Sequence, residues 1–174
     1  MKKIILFVCC ALFIGISAQA QTKPLMVGDK APMFTLKDQN GKTFKSKKYI
    51  GKKIMVVYFY PKDETGTCTK EACAFRDSYE AFTKAGAMVV GINNQEAETH
   101  KKFAEHHKLP FPILSDPNKV AINGFGVKMT QNYTGRETFV VGLDGKIAYT
   151  FNSASEGEKH SSEALSFINT MKSK

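Results

Sequence analysis

Arginine is almost missing from this chain. Of 25 basic residues only Arg76 and Arg136 are arginines, and tryptophan is absent altogether. Surfaces that read nucleic acid rely on clustered arginines and stacking aromatics, so the formal charge of +9 does not indicate a nucleic-acid partner. Lysines carry the excess. Seven of them lie between Lys37 and Lys53, where Asp38 is the only acid, the pattern of a solvated face. Cysteine is scarce as well: Cys9, Cys10, Cys68 and Cys73 are too few for a disulfide-dense scaffold. Unbroken apolar sequence is confined to the N-terminus and a few short runs.

At the N-terminus, Lys2 and Lys3 precede an apolar segment from Ile4 to Ile16, and Ala18-Gln19-Ala20 forms an A-x-A cleavage signal before Gln21. Thirteen residues are short of the roughly 20 that a membrane-spanning helix needs. Neither Val8 nor Cys9 places a small residue before a well-positioned cysteine, as lipid attachment would require. The expectation is a signal peptide over residues 1–20, export to the periplasm or secretion, and no stable membrane insertion after cleavage. Residues 21–174 then form one domain of charge +7 that keeps only Cys68 and Cys73. A pair this isolated points to function rather than to stapling.

Along that domain, Met33–Lys37 alternates as a short strand and Asn40-Gly41 turns the chain into Lys42–Phe44. Ile54–Tyr60 (IMVVYFY) is apolar, β-branched and aromatic throughout, the signature of a strand buried on both faces. Ala72, Phe75, Tyr79 and Phe82 recur at helical spacing and predict one helix over 69–84, stopped near Gly86. Met88–Ile92 is a second buried strand, and 96–107 a polar helix placing His100, His106 and His107 on the surface. Ile113-Leu114 is strand-like, and Asp116-Pro117 opens a small helix to about Ile122. Thr138–Leu143 and Lys146–Phe151 flank the hairpin signal Asp144-Gly145, and a helix over 161–171 closes the chain. The order predicts an α/β domain with a mixed central sheet flanked by helices.

The chemistry centres on Tyr58–Asp77 (YFYPKDETGTCTKEACAFRD). Cys68 falls in the first turn of the predicted helix, where the macrodipole and unpartnered amides favour a thiolate. Thr65, Thr67 and Thr69 supply hydroxyls around it, and Pro61 stiffens the approach. Burial as a small hydrophobe suits Cys73 better than Cys68, which sits among Gly and Thr. On an intact helix, residues five apart have Cα atoms about 8–9 Å apart, beyond the about 4.4–6.8 Å of a disulfide. A Cys68–Cys73 bond therefore demands that the first turn unwind. The histidines lack His-x-x-x-His spacing, and no Cys-x-x-Cys is present, so no metal site is expected.

Pro61-Lys62-Asp63-Glu64-Thr65-Gly66-Thr67-Cys68 matches the pattern P-x-x-x-(T/S)-x-x-C, and Arg136-Glu137-Thr138-Phe139 gives a later R-x-T-F. With GDKAPMFTLKDQNGK and HKKFAEHHKLPFPILSDPNK, the chain resembles the peroxiredoxins, in particular the peroxiredoxin Q or bacterioferritin comigratory protein subgroup, over nearly all of 27–170. The resemblance implies a thioredoxin-like fold and thiol-dependent reduction of hydrogen peroxide and organic hydroperoxides. It implies that Cys68 is peroxidatic and Cys73 resolving, joined in an intramolecular disulfide. Thr65 would hydrogen-bond the peroxide, Pro61 would shield the sulfur, and Arg136 would favour the thiolate and polarise the peroxide. No metal or organic cofactor is implied, the reductant would be a thioredoxin-like protein, and a monomer is expected because resolution is intramolecular.

The subgroup usually carries Thr-Pro-Gly-Cys where this chain has Thr65-Gly66-Thr67-Cys68. Losing that proline loosens the loop by about 0.5–1 kcal/mol of chain entropy. Arg76 either anchors its helix through an acid or tunes Cys73. The competing activity is a thiol–disulfide oxidoreductase acting on protein disulfides, a class that normally needs Cys-x-x-Cys; a non-catalytic domain with a structural disulfide is the third reading. Intact-mass measurement of the exported chain checks the leader: the expected N-terminus is Gln21, and an unprocessed or lipid-modified chain contradicts it.

Overall fold

In the computed structural model, which describes residues 23–172, the run Ile54–Phe59 is a strand buried at every position. The signal-peptide reading of residues 1–20 lies outside the described residues. In chain order the elements are β1 (Thr35–Asp38), β2 (Thr43–Lys45), β3 (Ile54–Phe59), α1 (Gly66–Asp77), α2 (Tyr79–Lys84), β4 (Ala87–Asn93) and α3 (Ala97–His106). There follow β5 (Ile113–Ser115), α4 (Val120–Gly124), β6 (Met129–Thr130), β7 (Tyr133–Thr134), β8 (Glu137–Val141), β9 (Ile147–Asn152) and α5 (Gly157–Lys172).

Seven strands form one sheet in the order β2-β1-β5-β4-β3-β8-β9, with β6 and β7 a separate small hairpin. β3 pairs parallel with β4, and β4 with β5, while β8 runs antiparallel to β3. This is the mixed α/β sheet that the sequence pattern predicts. Because successive strand side chains alternate faces, β3 feeds two cores. Ile54, Val56 and Tyr58 join Ala72, Phe75, Phe82, Phe103 and Ile168 on the side covered by α1, α2, α3 and α5. Met55, Val57 and Phe59 join Phe34, Phe44, Ala121 and Phe125 on the other side, against α4. β3, packed on both faces, is a rigid base for the loop that follows it.

Several elements depart from the expectation. The predicted helix over 69–84 is two helices with a break at Ser78 (φ −95°, ψ 2°), whose N–H reaches the carbonyls of both Ala74 and Arg76. α4 starts at Val120 rather than at Pro117 because the Asp116 carboxylate accepts the amides of Val120, Ala121 and Ile122, a cap from outside the helix. The turn at Asp144-Gly145 is longer than two residues: Gly142 donates to the Lys146 carbonyl and Gly145 to that of Gly142. Gly145, at φ +75°, occupies the left-handed region that glycine adopts without strain. α5 begins earlier than expected, at Gly157.

That early start matters to the site. A Cβ on Gly157 would stand 2.6 Å from the Thr67 carbonyl oxygen and 3.2 Å from Glu71 Cβ, so α5 meets the first turns of α1 at a distance only glycine allows. Gly157→Ala should lower stability by about 1–3 kcal/mol, as overpacking does, read as a lower urea midpoint at unchanged slope; an unchanged midpoint refutes the close contact.

Candidate active site

The site is built where the C-terminal end of β3 releases the chain into the loop before α1. Pro61 follows β3 half-buried, Thr65 is the N-cap residue of α1, and Cys68 sits in the first turn, 1 % exposed. Cys73 lies on the same helix, half-buried, and both sulfurs are free thiols. The burial order is thus the reverse of the expected one. Cys68 faces inward with Glu71, Ala72 and Phe75, at spacings of three, four and seven, which share one helical face.

Arg136, just ahead of β8, brings the far end of the chain to this sulfur. Its Nη2 donates to Cys68 Sγ at 3.2 Å, its Nη1 to Glu71 Oε2, and its Nε to the Ala154 carbonyl at 3.1 Å. The planar fork thereby spends each edge on a different acceptor, which a lysine ammonium on its flexible stem does not reproduce. Glu71 is fully buried. Burial pushes its carboxyl up to about 8, against the opposing pull of Arg136. Near neutral pH a protonated Glu71 leaves the guanidinium charge directed at Cys68.

His160 of α5 closes the back of the site. Its Nε2 faces the Ser153 carbonyl at 3.0 Å, which can only accept, so Nε2 carries the proton and Nδ1 receives the Thr138 hydroxyl at 2.8 Å. Burial pulls its ionisation down to about 4, so the ring is neutral at physiological pH. Nδ1 also stands 3.5 Å from Glu71 Oε1.

A second network fixes the loop. Asp63 accepts from Tyr60 Oη at 2.7 Å and Asn93 Nδ2 at 3.2 Å, and pairs with His100 Nδ1 at 2.8 Å, while its own N–H donates to Gln95 Oε1. Burial would raise this carboxyl, yet the His100 and Tyr60 bonds hold it below the usual range. His100 is therefore a fully buried partner and not the surface residue expected. His106 is exposed and His107 half-buried, and each contacts Glu64. The Thr65 hydroxyl donates to the Lys62 carbonyl at 3.0 Å. Arg76 pairs with Asp77 and donates to the His107 carbonyl at 2.9 Å. The Asp77 bond together with the neighbouring Cys73 holds its guanidinium above the ordinary value, so it anchors its helix and also faces Cys73.

Residues 27–150 match the AhpC/TSA family. The chain is 47% identical over 147 residues to the chloroplastic peroxiredoxin Q of Sedum lineare, covering 83% of this chain and 78% of that one. This chain belongs to the peroxiredoxins. Peroxidoxin BcpB of Mycobacterium tuberculosis superposes with a TM-score of 0.80 at 31% identity, over 84% of this peroxiredoxin and 98% of that protein. The bacterioferritin comigratory protein of Xanthomonas campestris, which has alkyl peroxide reduction activity, superposes with a TM-score of 0.73 at 25% identity, over 79% and 91% of the two chains. The peroxiredoxin has the thioredoxin-like fold of these relatives and is a thiol-dependent peroxidase.

Glu71, His160 and the Asp63–His100 pair escaped the sequence reading. Glu71 alone had a signal, an acid three residues after Cys68 on the inner helical stripe. Its raised ionisation has a testable sign. Between the unfolded value near 4.5 and the folded value of about 8, the unfolded chain has released a proton that the native state retains, so this group's contribution is full below the window and is lost as pH rises through it. Relative to the wild type, Glu71→Gln should therefore gain stability between pH 5 and pH 9 in urea unfolding; a pH-independent difference removes the assignment.

Proposed function

We propose that Cys68 is the peroxidatic cysteine of this peroxiredoxin and Cys73 its resolving partner, acting on hydrogen peroxide and organic hydroperoxides. The observation that carries this is the Arg136 Nη2 to Cys68 Sγ contact of 3.2 Å at the N-terminal turn of α1. The guanidinium and the helix terminus both favour negative charge at that sulfur. The thiolate attacks one peroxide oxygen, the O–O bond breaks, and the departing oxygen leaves with the bonding pair to be protonated as water or an alcohol. The Arg136 guanidinium, 3.2 Å from the sulfur, stabilises the charge that develops on the departing oxygen. Thr65 Oγ1 accepts the peroxide O–H without giving up its bond to Lys62, since a hydroxyl has two lone pairs. Pro61 walls the loop on the β3 side.

The product is Cys68 sulfenic acid. The Cys73 thiol condenses with it, forming the S–S bond and releasing water. Both residues lie within the continuous helix α1, so this step requires residues 65–70 to leave helical geometry. Their exposure favours that: apart from Cys68, no side chain from Thr65 to Lys70 is buried. Beyond Cys73 the helix is held by buried Phe75, stacked on Tyr58 at 4.5 Å, and by the Ser161 hydroxyl on the Ala74 carbonyl. A dithiol reductant then restores both thiols and is itself oxidised to a disulfide. For a protein of residues 21–174 exported behind a signal peptide of residues 1–20, that reductant is an exported thioredoxin-like protein. Resolution within one chain suits a monomer. The reading as a general thiol–disulfide oxidoreductase lacks its Cys-x-x-Cys.

One experiment tests the assignment: intact mass after one equivalent of hydrogen peroxide. The wild type should lose two hydrogens as the 68–73 bond, Cys73→Ser should stop one oxygen heavier, and Cys68→Ser should remain unmodified. Substantial peroxide turnover by Cys68→Ser overturns the assignment.

A further inference from the structure

We propose that Glu64, His106 and His107 form a site for one divalent transition-metal ion of the zinc class, and that the bound ion holds the cysteine loop closed. Glu64 lies in the loop between β3 and α1, His106 ends α3 and His107 is its C-cap. Glu64 Oε1 stands 3.1 Å from His106 Nδ1 and Oε2 3.0 Å from His107 Nε2, and one ligand atom from each residue lies within 4.8 Å of the others. Consecutive helical side chains diverge by about 100°. Here the chain leaves the helix at His107 (φ −96°, ψ 5°), and the two rings lie 4.3 Å apart, both against one carboxylate.

Ligand atoms each about 2.0–2.1 Å from a tetrahedral zinc lie about 3.3 Å from one another. The two carboxylate–imidazole separations, one to each oxygen, differ from that by about 0.3 Å. The set as a whole, spanning up to 4.8 Å, draws in by rotation of the exposed Glu64 and His106 side chains. Two imidazole nitrogens and a carboxylate are a donor set that zinc accepts, with water completing the shell. Binding requires the nitrogen of each ring that faces Glu64 to present its lone pair, with the ring proton on the other nitrogen. The nearby Arg76 guanidinium does not stand as a lone charge against the ion, because Asp77 pairs with it at 2.8 Å.

The position of the site gives it a consequence. Glu64 moves with the loop that must open for the Cys68–Cys73 bond to form, whereas α3 is fixed to the anchored half of α1 through the Arg76 bond to the His107 carbonyl. An ion tying Glu64 to α3 opposes opening. Sulfenic acid at Cys68 then persists, and a second peroxide converts it to sulfinic acid with release of water. This consequence rests on the roles proposed for Cys68 and Cys73; the metal site itself does not.

Cobalt(II) titrated into the reduced mature protein should saturate at one ion per chain, with visible ligand-field bands and no thiolate-to-metal charge transfer in the near ultraviolet. His106→Ala, at an exposed position, should weaken binding by more than the roughly 10–100-fold that loss of an outer-shell partner costs. A thiolate band, or undiminished affinity in His106→Ala, places the ion elsewhere and overturns the site. In quenched-flow mass spectrometry, zinc at ten times its dissociation constant should slow disulfide formation by about tenfold in the wild type and leave His106→Ala unaffected. An unchanged wild-type rate with the site occupied overturns the clamp. Absence of the disulfide even without metal removes the resolving role of Cys73, and the cobalt titration still decides the site.

Discussion

The contact on which the site depends is the two-armed reach of Arg136, from Glu71 on one side to Cys68 on the other. An arginine that is only 7 % exposed is costly to desolvate unless its donors find acceptors. Here each of the three nitrogens has one: a carboxyl group, a sulfur and a backbone carbonyl. The three acceptors come from α1 and from the segment between β9 and α5, so the arginine cannot be satisfied until the sheet and both helices are assembled. Folding and construction of the site are in that sense one event.

Two layers of support can be separated by what they restrain. The Arg136–Glu71–His160 group sits behind Cys68 and sets the electrostatics at the sulfur. The Asp63 group sits beside the loop and sets its path, tying it to the ends of β3 and β4 and to α3. The first layer is built of groups held away from their ordinary protonation, with Glu71 raised and His160 lowered by burial. The second is a lowered carboxylate satisfied on both oxygens. The arginine charge is thus placed at Cys68, and hydrogen bonds along the loop that leads to it.

The sheet and the position of both cysteines were legible because their signals are local: an unbroken apolar strand, a helical stripe, a motif of fixed spacing. Arg136 was legible through its R-x-T-F setting and its rarity. The break at Ser78 was hidden because Ala72, Phe75, Tyr79 and Phe82 keep a helical rhythm across it, so the apolar pattern is satisfied with or without the interruption. His100 was misplaced because a histidine in a polar helix carries no mark of burial until Asp63, distant in sequence, is brought against it. Glu64 was missed, and His106 and His107 were set aside as ligands, because spacing within one segment was the only pattern available and Glu64 meets them only in the fold.

β3 has no solvent-facing side, and the anchored half of α1 rests on Tyr58 through Phe75. In the proposed cycle the mobile part is therefore bounded at both ends, by the strand upstream and by an aromatic stack downstream. Residues 60–74 lie between, and the part that must leave helical geometry, 65–70, is scarcely longer than the cysteine spacing itself. On that proposal the protein works like a short hinged latch in a fixed frame: the sheet need not register the oxidation state of the sulfur, and reduction has only one stretch of backbone to rewind.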